Sequence, residues 1–347
     1  MNFRPLAAFA SSATFFEKKQ KKHQDELTRF QLINGIPGVT AIVSKKGKHV
    51  LKYASGYSNV ETLQPMKLNT VCRIGSISKL FAAVGIDRLD IDCTRSLEEY
   101  LPWLSEESPS KNCRVLDILR HESGIRHYKE KEMKDEETKC NIHFKTAKQA
   151  IQHLKLDTDQ LLTEKIGKFS YSTHAFTFLQ AIIEEQTKVS YSKFLEKELF
   201  SKIGMFNTFP DKTTEITPNR SQNYDRKTNK LKKCTEIDQS WKLAGGGMVS
   251  NAEDLVKFGN WLLENYHKKE HTMLEVHRVG GSSLNDMSEV VWLTGFDPLG
   301  GHAGASFGGS CVLYVNVEKE LVVVVLTNQS DSHTGMMRLV KMLADDC

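Results

Sequence analysis

Val71-Cys72-Arg73-Ile74-Gly75-Ser76-Ile77-Ser78-Lys79-Leu80-Phe81-Ala82-Ala83-Val84 is the stretch on which the fold turns. A strand-like run stops at a glycine, and an apolar helix starts on a serine. Residues i and i+3 share a helix face, so the Lys79 amine can reach back to the Ser76 hydroxyl. The pair reads as a nucleophile and its proton acceptor. Burial of the lysine would disfavour the ammonium, and a general base must be the neutral amine. The plainer alternative is an N-cap serine followed by a solvated charge.

Ser-x-x-Lys recurs at Ser108–Lys111 and Ser190–Lys193, so context has to separate the three. The second occurrence carries Pro109 in a polar turn. The third opens an amphipathic helix whose Phe194, Leu195 and Leu199 form a core face. Both read as structural; only Ser76–Lys79 has the strand, the glycine and the apolar helix together.

Around this segment the chain is of ordinary globular composition, 347 residues with 39% hydrophobic content, enough to bury a substantial core. The net charge of +4 is spread along the chain, with no basic-aromatic module, so nucleic acid is not an expected partner. Seven cysteines without a C-x-x-C pair argue against zinc and against a disulfide framework, and no cofactor is implied. No run approaches the roughly 18 apolar residues of a membrane span. Met1–Phe16 holds Arg4, several serines and alanines and no acid, which suits a mitochondrial presequence. A secretory signal fits less well, because Arg4 and Pro5 shorten the apolar part before Ala8-Phe9-Ala10. The alternative is a frayed terminus leading into a polar helix, Glu17–Leu32, in a cytoplasmic protein.

Val39–Val43 and His49–Tyr53 flank Lys45-Lys46-Gly47-Lys48 as a hairpin, and Cys311–Val315 and Leu321–Leu326 flank a second one. Between them lie helical patterns at Val115–Leu119, Ala147–Leu154, Ala175–Gln186, Tyr191–Ile203 and Ala252–Tyr266, the last with a Ser250-x-x-Glu253 capping box. An amphipathic helix, Met336–Leu343, follows the second hairpin. The order implies an α+β fold: a sheet built from both chain ends, flanked by helices, with a mostly helical region at about residues 90–250 inserted between its strands. Residues 1–30 read as an N-terminal segment and 31–347 as one domain. The mixed-charge run Lys129–Lys139 reads as a solvated surface.

Two further segments answer what a Ser/Lys pair would need. Phe169-Ser170-Tyr171-Ser172-Thr173 precedes a helix, in a loop where a phenol can approach Ser76; beside a lysine it can serve as a phenolate or as a relay. Gly301-His302-Ala303-Gly304-Ala305-Ser306-Phe307-Gly308-Gly309-Ser310 lets a backbone lie close to a substrate. The N–H groups of Ser76 and of Ala305, just after Gly304, are then the expected oxyanion hole. A packing tyrosine and a plain glycine turn are the respective alternatives.

Ser-x-x-Lys, Tyr-Ser-Thr and His-x-Gly in this order resemble the penicillin-binding-protein and class C beta-lactamase superfamily. The resemblance extends to Leu116–Gly124, to Leu199-Phe200-x-x-Ile203-Gly204-Met205-x-Asn207-Thr208 and to Gly246-Gly247-Met248-Val249-Ser250, and covers about Gln31–Gln329. Ser123–Tyr128, Ala244–Gly247 and Asp254–Asn260 resemble the branch found in animal mitochondria. The resemblance implies a beta-lactamase/transpeptidase-like fold and a serine acyl-transfer hydrolase, with Ser76 attacking and Lys79 and Tyr171 moving the proton. His302 would occupy the substrate-binding position where bacterial members carry the lysine of Lys-Thr-Gly. With an ordinary pKa near 6.5, histidine is no permanent cation, so a peptide or ester substrate is favoured over a beta-lactam. The branch further implies a mitochondrial protein linked to lipid metabolism and assembling into homo-oligomers or filaments. Two departures stand out. The helix after Ser76 is expected to be short, and the segment His271–Gly300 is short, with Val290–Leu293 a poor strand ahead of His302. Both favour the alternative of a catalytically weak scaffold; the retained Ser, Lys and Tyr favour the hydrolase.

Overall fold

The computed structural model describes residues 5–128, 142–157, 165–227, 230–268 and 299–347. The charged run Lys129–Lys139 and the segment containing Val290–Leu293 lie outside these residues. Helix α1 (Pro5–Asn34) leads into the hairpin of β1 (Gly38–Lys45) and β2 (Lys48–Asn59), with β3 (Gln64–Pro65) beside β2. The short strand β4 (Cys72–Arg73) passes through one 3-10 turn, Gly75–Ile77, into α2 (Ser78–Arg88). The helical region follows, with α3 (Leu97–Tyr100), α4 (Val115–Leu119), α5 (Ala147–His153), α6 (Thr173–Thr187) and α7 (Tyr191–Leu195). After β5 (Phe209–Pro210) and the pair β6 (Tyr224–Lys227) and β7 (Lys230–Lys233), the single-turn α8 (Leu243–Gly246) precedes β8 (Met248–Ser250) and α9 (Ala252–Lys268). Strands β9 (Leu299–Ser306), β10 (Gly309–Asn316) and β11 (Leu321–Thr327) and helix α10 (His333–Asp345) end the chain.

The main sheet runs β3-β2-β1-β11-β10-β9, so the two termini meet where β1 pairs antiparallel with β11, Val39 opposite Thr327 and Lys45 opposite Leu321. Alternate residues of a strand point to opposite faces. Val39, Ala41 and Val43 join Val323 and Val325 against Leu27 and Phe30 of α1 and Met336, Leu339 and Leu343 of α10. Ile42, Leu313, Val322, Val324 and Leu326 face the helical region. Helices on both faces explain why β11 is an unbroken apolar run, buried along its whole length, in place of an alternating one. Because Leu27 and Phe30 sit in this core, the boundary drawn from sequence at residue 31 falls within α1.

Helix α2 ends at Arg88, the early stop expected from Asp90, yet it is firmly packed: nine of its eleven residues, Ser78 to Ile86, are buried, and Phe81 meets the rings of Phe200 and Phe258 edge-on at 5.1 and 4.9 Å. Two other expectations change. The strand ahead of His302 is the glycine-rich stretch itself, since β9 contains His302 and pairs with β10. Helix α9 is capped by Asn251, whose side-chain oxygen accepts the Asp254 N–H at 2.8 Å. Ser250 cannot cap, because it ends β8 and its hydroxyl is hydrogen-bonded to that of Thr208 at 2.7 Å.

Candidate active site

Ser76 lies in the 3-10 turn between β4 and α2, at the mouth of a cleft of about 410 Å³ lined also by Tyr128, Tyr171, Thr173, Lys242 and the β9 backbone from Ala303 to Phe307. The turn is forced by Gly75, whose φ of +48° is left-handed. A side chain there would also strike Ala305, with the carbonyl oxygen 2.5 Å and the nitrogen 2.8 Å from its first carbon. Ser78, the first residue of α2, donates its hydroxyl to the Gly75 carbonyl at 2.7 Å and so fixes the bend.

Lys79 is fully buried, and its Nζ lies 3.0 Å from Ser76 Oγ, 3.2 Å from Thr173 Oγ1 and 2.6 Å from the Gly245 carbonyl oxygen. Burial, with the charge of Lys242 adding to it, holds the amine well below the ordinary lysine range. A neutral amine has two N–H groups and one lone pair. In the ammonium form all three contacts are N–H donations; in the neutral form Gly245 and Thr173 accept the two N–H groups and the lone pair faces Ser76.

Tyr171 donates its hydroxyl to Ser76 Oγ at 2.9 Å. Burial pushes the phenol up to about 12, so at neutral pH it is a proton donor and not a phenolate. The loop that carries it is held from below by two histidines. His121 Nδ1 accepts the Ser172 N–H at 3.2 Å, and His127 Nδ1 accepts the Thr173 N–H at 3.1 Å. The His121 ring stacks on Tyr171 with centroids 4.3 Å apart, and the Ser172 hydroxyl caps α6 by accepting the Ala175 N–H.

The β9–β10 hairpin has a two-residue turn, with Ser306 opposite Gly309 as its closing pair. In an antiparallel ladder the next pair, Ala305 with Ser310, is the non-hydrogen-bonded kind, so the Ala305 N–H points off the sheet edge. That edge runs against the Gly75 turn. Gly304 is what allows the approach, since a side chain there would stand 2.0 Å from the Ile74 carbonyl oxygen. The Ser76 N–H, in the first turn of its helix, has no acceptor within that helix. Two N–H donors thus flank the Ser76 hydroxyl.

His302 takes a different place from the one the sequence suggested. It is 3% exposed, turned into the interior on β9, and absent from the cleft wall. Burial and the nearby Lys79 push its imidazole down to about 3, so it carries no charge. The other two Ser-x-x-Lys segments lie elsewhere: Ser108 hydrogen-bonds to Ser110, and Lys193 is exposed on α7. Sequence reasoning assigned no role to His121, His127, Gly245 or Lys242. The Lys79 contacts to Thr173 and Gly245 span 94 and 166 residues, beyond any local pattern.

Residues 19–342 match the profile of the family described as Beta-lactamase. The mitochondrial serine beta-lactamase-like protein LACTB of Homo sapiens is 29% identical over 72% of this chain and 58% of its own length, so this chain spans under three-fifths of that relative. Among solved structures, the D-amino acid amidase of Ochrobactrum anthropi superposes with a TM-score of 0.77 at 20% identity, covering 95% of this chain and 98% of the amidase. The octameric penicillin-binding protein homologue of Pyrococcus abyssi gives 0.72 at 21%, covering 93% and 76%. At these identities the structural likeness establishes the fold alone.

Proposed function

Because this chain belongs to the beta-lactamase family of serine hydrolases, we propose that it cleaves a peptide or ester bond through an acyl-enzyme on Ser76. Ser76 Oγ attacks the carbonyl carbon while its proton passes to Lys79 Nζ. The oxyanion is held by the Ser76 and Ala305 N–H groups. Tyr171 gives its proton to the leaving amine or alkoxide and regains one from Lys79. Water then attacks the acyl-enzyme by the same proton path, releasing the acid and restoring Ser76. The observation that carries this reading is the full burial of Lys79 with its amine 3.0 Å from Ser76 Oγ, where loss of its proton turns that contact into a base facing the hydroxyl.

Peptide and ester substrates are preferred over beta-lactams because the buried, uncharged His302 offers no cation at the β9 strand. The mitochondrial location in the human relative's name and the octameric state of the archaeal homologue are carried into the proposal for this chain. Among the described residues no helix is long and apolar enough to cross a membrane.

Intact-protein mass spectrometry with a fluorophosphonate probe tests the assignment. One adduct on the wild type and none on Ser76→Ala is expected. An adduct that persists in the variant refutes Ser76, and no adduct on folded wild-type protein points instead to a scaffold that has lost its chemistry.

A further inference from the structure

Among the described residues lining the Ser76 cleft, Lys242 is the one lysine or arginine. Only 6% of it is exposed, and its ammonium rests over three rings, 4.9 Å from the centroid of Trp241, 5.4 Å from Tyr128 and 5.9 Å from Phe307. The aromatic faces partly compensate a positive charge there. They do not replace an anion. Asp211, the acid that acts on Lys242 through the interior, is already engaged by Arg73 at 2.6 Å and Arg220 at 2.7 Å. No carboxylate lies within ion-pair distance of the Lys242 amine among the described residues.

The position is also fixed. Lys242 immediately precedes the turn Leu243–Gly246, whose Gly245 carbonyl accepts from Lys79, so the cation and the base are set by one short piece of backbone. Asp225 and Asp331, which line the same cleft, repel an anion from their part of it. Burial and the nearby Arg73 pull the Lys242 amine down to about 7, so on its own it is charged only in part, and an anion entering beside Ser76 both restores the full cation and is held by it.

We propose that Lys242 is a specificity-determining residue that anchors a carboxylate of the acyl substrate, so that substrates bearing an anion near the scissile bond are preferred. This rests on the Ser76 reading above.

The test compares p-nitrophenyl valerate with the mono-p-nitrophenyl ester of glutaric acid, which differ in the terminal carboxylate, by kcat/KM on the full chain. The wild type is expected to favour the glutarate ester by about tenfold or more. The ratio should fall to near unity in Lys242→Met and recover in Lys242→Arg, which keeps the charge. An equal rate for the two esters in the wild type, or an unchanged ratio in Lys242→Met, overturns the proposal. A second measurement needs no variant: free glutarate should slow fluorophosphonate labelling of wild-type Ser76, and glutaramide should not. Labelling that proceeds unprotected refutes the Lys242 assignment alone, whereas absence of labelling on folded protein refutes the Ser76 reading and this one with it.

Discussion

Gly304→Ala adds one methyl group to the edge strand, and its effect follows from the contact between β9 and the nucleophile's turn. That carbon would stand 2.0 Å from the Ile74 carbonyl oxygen and 2.6 Å from Cys311 Sγ. Carbon and carbonyl oxygen ordinarily meet at about 3.3 Å, so strand and turn must part by about 1.3 Å. Ile74 lies two residues before Ser76, and Ala305 directly follows Gly304. The separation therefore opens between the nucleophile and the outer N–H of the oxyanion hole. A misplacement of about 1 Å costs roughly 100-fold in rate, and outright loss of one donor about 100- to 1000-fold, or about 2.7–4 kcal/mol. Gly304 does not have a left-handed φ, so alanine brings no backbone strain of its own. Any fall in stability, expected at about 1–3 kcal/mol, reports the collision. Gly246→Ala is the internal control: its methyl would approach the same Gly75 turn at 3.6 Å, an ordinary contact. The assay is the second-order rate of fluorophosphonate labelling, with urea unfolding run beside it. Folded Gly304→Ala that labels at the wild-type rate would refute the proposed oxyanion geometry.

Lys79→Met should lower the labelling rate by about 100- to 10,000-fold, as loss of a general base does, with little change in the urea midpoint. The lost hydrogen bonds to Gly245 and Thr173 are offset by burial of an apolar side chain, and a large stability loss would make the lysine structural. In the wild type the rate should rise with pH through the lowered Lys79 titration and level off well below 10.5; an inflection at the ordinary lysine value would contradict a buried base. Between that lowered value and 10.5 the unfolded chain binds the extra proton, so stability rises with pH there, and Lys79→Met should flatten this part of the profile. Asp211→Asn strips the counter-charge from fully buried Arg73, which Asp211 holds at 2.6 Å, and from Arg220 beside it. A cost of about 3–5 kcal/mol is expected as a lower urea midpoint at unchanged slope, and a wild-type midpoint would mean that Glu236 alone satisfies Arg73.

The parts that could be read early are those that the chain carries locally. Ser76 and Lys79 sit three apart on a helix entry, so their meeting is a matter of helical period. The two hairpins and the helical stretches between them announce themselves by alternation and by 3.6-residue spacing. Tyr171 and the Gly304–Ala305 pair could be named, but a loop and a glycine run do not say which way a side chain or an N–H points. His302 shows the limit. Its place in His-x-Gly suggested a cleft residue, yet strand alternation turns it inward, where burial leaves it uncharged.

The sequence by itself pointed to a candidate nucleophile and base three residues apart, a sheet assembled from both ends of the chain and the order of the segments that flank the cleft. Only the tertiary structure decided that Lys79 is buried with its pKa held low, that Tyr171 donates to Ser76, that two histidines hold the tyrosine's loop and that Lys242 is the lysine of the cleft lining. The physical reason is that protonation state depends on burial and on neighbours brought from up to 166 residues away, and neither is written in local spacing.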